Sequence, residues 1–203
     1  MPSSAWHSFY ESFFGDPYMA WHDGLDTQSL AALEGEEREE AERLLREALD
    51  SGDYRPAVGL RVLRSEASIP KLKEKLGDSY GREAVETALA LWQIAEWPPA
   101  VKVIITELQE GAHWGTRIDA ARALRHVNKP EAIKALLGAL EDEEDLVRSN
   151  AADALIEMLE LPVKETHAGS YDLAIDVMAE DEGKRKKAIE TLTELVKKNK
   201  SKK

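Results

Sequence analysis

The chain of 203 residues contains no cysteine. That absence removes disulfides, thiolate nucleophiles, redox switches and cysteine-ligated zinc together, and it leaves the redox compartment open. No uninterrupted apolar stretch approaches the roughly 18 residues that cross a bilayer, so membrane insertion is not expected. The start, Met1-Pro2-Ser3-Ser4-Ala5-Trp6, has neither a basic nor an apolar leader region, and the expected location is cytoplasmic. Gly-rich phosphate loops, nucleophile elbows and serine triads are missing as well. None of the five histidines stands in His-Glu-x-x-His or is followed by glutamate. The expectation is a protein that is not an enzyme, with no catalytic residue, no metal ligand set and no cofactor. A polar group at Glu165, His167, Asp172 and Asp176 is explained by solvated side chains.

Basic charge is scarce over most of the chain. The net charge is −12, but residues 184–203 hold nine Lys and Arg against two Glu, so the first 183 residues carry 18 basic and 37 acidic side chains. Nucleic acid is bound through a basic surface that displaces counterions, and nucleic acid is therefore not an expected partner. The Lys-rich end (Lys197, Lys198, Lys200, Lys202, Lys203) reads as a solvated tail.

What the sequence does have is a repeat. Ile69-Leu72-Leu76, Val101-Ile104-Leu108 and Ile133-Leu136-Leu140 return at intervals of 32 residues, each followed by an acid at Asp78, Glu110 or Asp142. Self-similarity at this period marks stacked helix pairs, each burying its apolar face against its neighbours. The helix at 36–49 belongs to the same series, with Ala41, Leu44 and Ala48 over Ile69, Leu72 and Leu76. Between these second helices lie first helices with small and apolar residues after an arginine: Arg82 to Leu89, Arg117 to Leu124, Arg148 to Leu155, and weakly Arg185 to Leu192. Pro70, Pro98, Pro99 and Pro130 fall where second helices begin, positions at which a missing N–H costs nothing. First helices are thus predicted near 54–64, 81–95, 115–126 and 144–160, and second helices near 69–77, 99–109 and 131–140. Beyond Leu161-Pro162 a helix is expected near 171–179 and a last one near 183–198.

The run Asp145-Leu146-Val147-Arg148 through Ala151-Ala152-Asp153-Ala154-Leu155 resembles the HEAT-like repeats of the type first described in phycobilin lyases, over about residues 36–160. The resemblance implies an all-α, right-handed α-solenoid of about four HEAT-like helix pairs. Tetratricopeptide repeats have a similar length, but their Trp, Leu-Gly, Tyr and Phe positions do not occur at the required spacings. The domain expectation is an aromatic N-terminal helical cap at 1–35, repeats at 36–160, and divergent C-terminal helices with a basic tail at 161–203.

Two parts of the chain stand apart from the repeat. Trp6, Phe9, Tyr10, Phe13, Phe14, Tyr18 and Trp21 are seven of the 13 aromatics, and their helical spacing suits either an end cap or a partner-binding patch. The unbroken run Glu141-Asp142-Glu143-Glu144-Asp145 sits ahead of a first helix, where carboxylates favour the helix dipole. Aligned along one face, the same carboxylates would steer a basic protein. Arg82, Arg117 and Arg148 are expected to hold neighbouring repeats together rather than to bind anions.

The leading functional expectation is a non-catalytic protein-interaction scaffold or adaptor whose acidic body binds a basic or extended protein partner. Its candidate binding residues are Trp6, Tyr10, Phe14, Trp21, Glu141, Glu143 and Glu144. The alternative implied by the resemblance is a bilin-lyase-like enzyme or chaperone, with Trp92, Trp97 and Trp114 in a tetrapyrrole groove. A lesion-binding glycosylase of HEAT-like type is opposed by the acidic body.

Overall fold

A computed structural model describes residues 2–164 and 171–200. Among them the regular structure is helical, with no strand, as the 32-residue period requires. The helices fall into two compact units, Met1–Ala100 and Val101–Lys203.

The first unit contains α1 (Ser4–Phe14), α2 (Pro17–Asp23), α3 (Thr27–Ala31), α4 (Gly35–Glu47), α5 (Arg55–Val62), α6 (Ile69–Leu76) and α7 (Gly81–Ala95). Its N-terminal helices start on polar caps that satisfy orphan N–H groups. Ser3 Oγ accepts from Trp6 N at 3.1 Å, and Asp26 accepts from Ser29 N at 2.9 Å and Ser29 Oγ at 2.6 Å. Those two bonds hold the Asp26 carboxyl below its ordinary range. Ser3 also donates through N and Oγ to Glu37 at 2.7 and 2.6 Å, tying the start of α1 to α4.

Phe9 and Phe13 on α1 are buried with Leu30, Leu45 and Leu60. A glycine makes this docking close: a Cβ on Gly59 of α5 would lie 2.7 Å from Leu45 Cδ1 and 3.0 Å from Phe13 Cε1. The buried row of α4 is Ala41, Leu45 and Leu49, while Leu44 and Ala48 are half-buried. The alignment of Leu44 and Ala48 with the buried Leu72 and Leu76 therefore slips by one residue, since Ala41 and Leu45 share one face of α4 at i, i+4 and Leu49 continues it into a 3-10 turn at Ala48–Ser51.

Helix α8 (Pro98–Glu110) follows, with Ala100, Val101, Ile104 and Leu108 buried. The second unit then holds α9 (Trp114–Leu124), α10 (Pro130–Ala139), α11 (Asp145–Leu159), α12 (Asp172–Asp176) and α13 (Glu182–Lys200). Prolines begin α6, α8 and α10 as expected. Helix α12 is shorter than the stretch 171–179 read from the sequence. In α10, Ile133 and Leu136 are buried against the unit's interior, as is Leu140 at its end.

Three first helices end in the same way. Arg64, Glu96 and Glu160 have φ of 52°, 45° and 49°, and they lie 32 and then 64 residues apart. After each, an N–H reaches back across the last turn, by five residues from Ser65 to Leu60 O (3.0 Å) and from Leu161 to Ile156 O (3.0 Å), and by six from Trp97 to Leu91 O (3.5 Å). This is the Schellman reversal, in which the left-handed position normally falls to glycine.

Two stability outcomes follow from these contacts. Gly59→Ala drives a methyl into Leu45 and Phe13 and should cost about 1–3 kcal/mol in chemical denaturation. Glu160→Gly relieves the left-handed cost of an L-residue, which outweighs the added freedom of the unfolded chain. It should stabilise by about 0.5–1 kcal/mol, read as a raised midpoint; an unchanged midpoint would mean that the reversal carries no strain.

Candidate functional site

In the second unit, three loops are held side by side by arginines, of which Arg117 and Arg148 are buried and Arg185 half-buried. Arg117, Arg148 and Arg185 are each the fourth residue of their helix. Each donates from Nη1 to a carbonyl six residues earlier: Arg117 to Gly111 O (3.0 Å), Arg148 to Asp142 O (2.7 Å) and Arg185 to Ala179 O (3.2 Å). Arg117 and Arg148 then reach onward. Arg117 forks onto both oxygens of Asp142 at 2.9 and 3.0 Å, and Arg148 donates from Nε to Val177 O at 2.9 Å and from Nη1 to Glu143 O at 3.0 Å. The paired geometry is the strong form of the arginine–carboxylate bond, and it raises the Arg117 pKa further. The loops before α9, α11 and α13 consequently form one continuous edge.

Arg82 does not belong to this series. It is the second residue of α7, is exposed, and lies over the Tyr54 ring at 3.7 Å. The sequence register of Arg82 to Leu89 matches the others, but its place in the helix does not. Arg185, the weak member by sequence, is the one that repeats the backbone bond.

With the cations turned inward, the carboxylates of the edge face solvent. Glu141, Glu143 and Glu144 are all exposed; the Glu143 side chain is 84% accessible and lies 3.4 Å from Arg117 Nη2. Asp142 is the exception in the run: its carboxylate is largely buried in the Arg117 fork and also accepts from Glu144 N at 2.9 Å. One acid of the five is thus framework. Glu144 is the N-cap residue of α11 but makes no side-chain cap bond, and Asp145 stands in the helix's first turn.

The aromatic segment divides by face. Trp6, Tyr10 and Phe14 form one row along α1, with ring centroids 6.4 Å apart for Trp6–Tyr10 and 5.3 Å for Tyr10–Phe14. Tyr10 is exposed and its two neighbours are half-buried, whereas Phe9 and Phe13 point inward. The side chain of Trp21 lies outside the described residues. Helical spacing of aromatics could not distinguish the two rows, since both repeat at i, i+4; burial separates them.

Of the tryptophans considered for a tetrapyrrole groove, Trp97 lies under Lys73 Nζ at 5.1 Å, Trp92 is half-buried, and Trp114 is exposed beside His113. A shallow groove of about 290 Å³ lies between α9 and α11, lined by Arg122, Arg125, Asn150, Asp153, Ala154 and Glu157. Within it Arg122 Nε donates to Asn150 Oδ1 at 2.8 Å and Arg125 pairs with Glu157 at 2.9 Å. Its lining is polar and contains no aromatic ring. Asp176 pairs with Lys184 at 2.8 Å, and Glu165 and His167 lie outside the described residues.

Arg148 tests the edge directly. Arg148→Met leaves three carbonyls without their donor and should cost about 3 kcal/mol, with Arg148→Lys recovering part of it because an ammonium lacks the fork. Equal stability of the methionine variant and the wild type in urea titration would show that the loops are held by other means.

No curated protein and no solved structure gives a significant match to the chain. Residues 101–193, from most of α8 to most of α13, match the family model described as HEAT repeats.

Proposed function

We propose that the chain is a protein-interaction module whose acidic surface docks a basic protein partner. HEAT repeats suit that role, because stacked helix pairs present extended surfaces that neighbouring repeats hold rigid. The observation that carries the reading is the charge arrangement of the arginine-held edge. Arg117 and Arg148 are buried and bonded to the loops, while Glu141, Glu143 and Glu144 stand in solvent with no basic residue between Glu141 and Asp145. A field of one sign at a rigid surface steers an oppositely charged partner and opposes a phosphate backbone. The half-exposed row Trp6, Tyr10 and Phe14 is a second contact surface in this proposal, apolar rather than charged.

Affinity capture from native extract tests the reading, with the chain as bait at low and high salt. A basic partner should be retained at low salt and released at high salt. Glu143→Lys with Glu144→Lys should weaken the isolated complex by about tenfold, since both side chains are exposed and the Arg117 fork on Asp142 stays in place. Unchanged affinity of the double variant, or a complex indifferent to salt, overturns the acidic-docking reading.

A further inference from the structure

The charged edge also gathers the apolar surface of its unit. Among the described residues of the second unit, the large apolar side chains that remain exposed are Trp114, Leu146 and Ile175, at 43%, 43% and 45%. All three lie at the arginine-held loops. Trp114 opens α9, three residues after Gly111; Leu146 is the second residue of α11, three after Glu143; Ile175 stands two before Val177. The carbonyls or carboxylates of those same loops are the groups that Arg117 and Arg148 grip. Scattered exposed apolar residues are ordinary on a protein surface, but their confinement to one edge is not.

Rigid spacing gives this surface a register. Packed helices lie about 8–10 Å apart, and Trp114 and Leu146 stand at the first and second positions of the neighbouring helices α9 and α11, so the apolar sites follow the helix spacing. Two turns of α-helix advance about 11 Å and return to the same face. A helix with an apolar residue at every seventh position therefore meets such sites in turn. The flanks of that helix would face the exposed Glu141, Glu143 and Glu144 on one loop; on the next, Glu180 and Asp181 are exposed but precede the basic start of α13 at residues 184–187, so the acidic field centres on the first loop. Charge complementarity selects lysine and arginine for those flanks.

We infer that the loop edge of the second unit is a docking surface for a basic amphipathic helix of a partner protein, whose apolar residues seat on Trp114, Leu146 and Ile175. This rests on the acidic-docking reading and adds to it the apolar register and the conformation of the bound segment. Apolar contact supplies what exposed ion pairs do not, because salt-screened surface pairs contribute little affinity by themselves.

A synthetic helical peptide tests this, of about 18 residues, with leucine at every seventh position and lysine on the flanks. Its control carries serine in place of each leucine. Titration of the full chain by fluorescence anisotropy should show the leucine peptide binding at least tenfold more tightly than the serine peptide. Leu146→Ser with Ile175→Ser should abolish most of that difference while leaving the melting transition and the serine-peptide affinity unchanged. Equal, salt-sensitive binding of both peptides would overturn the apolar register and leave the acidic docking standing. Binding of neither peptide at low salt would overturn both.

Discussion

The second unit depends on buried guanidinium groups that bond to backbone carbonyls. A helix pair leaves loop carbonyls without partners at the point where the next pair must pack, and an unpaired buried carbonyl is costly. Arginine at the fourth position of a first helix solves this twice over. One nitrogen closes the loop of its own repeat, and the others reach the next. The bond fixes the spacing of the loops, and so it also fixes where the exposed carboxylates and apolar side chains fall. Polar satisfaction in the interior and chemical character at the surface are therefore set by one residue type.

Much of this was legible in the sequence, because the apolar triplets obey a period that no other arrangement of helices would impose. Ile104, Leu136 and Leu140 are fully buried, and the prolines begin the helices at which they were placed. The misplacements have local causes. Leu44 and Ala48 match their counterparts in type, but the face that α4 buries runs from Ala41 at i, i+4 to Leu45 and on to Leu49. Arg82 matches in sequence spacing, but a helix that starts two residues later relative to its arginine leaves that side chain over Tyr54 instead of in a loop. Spacing along a chain does not specify where a helix begins, and the arginine bond is sensitive to that start.

The candidate binding residues were legible to a different degree. Composition identified the acidic run, yet within it Asp142 is buried in the Arg117 fork while Glu143 touches that cation only at 3.4 Å from solvent, a division that depends on which carboxylate is enclosed by another helix. The aromatic helix showed the same limit, since Phe9 and Tyr10 are neighbours in sequence and opposite in exposure. Gly59 was the overlooked signal: a glycine inside a helix weakens it, and here its missing side chain is what admits Leu45 and Phe13. Leu146 and Ile175 gave no warning at all, because an exposed leucine or isoleucine at a helix end has the same helical spacing as a buried one.

The reversals at Arg64, Glu96 and Glu160 have a consequence for how such a chain can diversify. Their left-handed backbone is imposed by the helices on either side, not by a residue that prefers it, and each carries a charged side chain at a position where glycine would be the conformational choice. The direction of the chain after a first helix is thus independent of what stands at the corner. Charge at these corners can change sign without altering the path of the backbone, so the electrostatic pattern of the array is free to drift toward a new partner while its architecture stays the same.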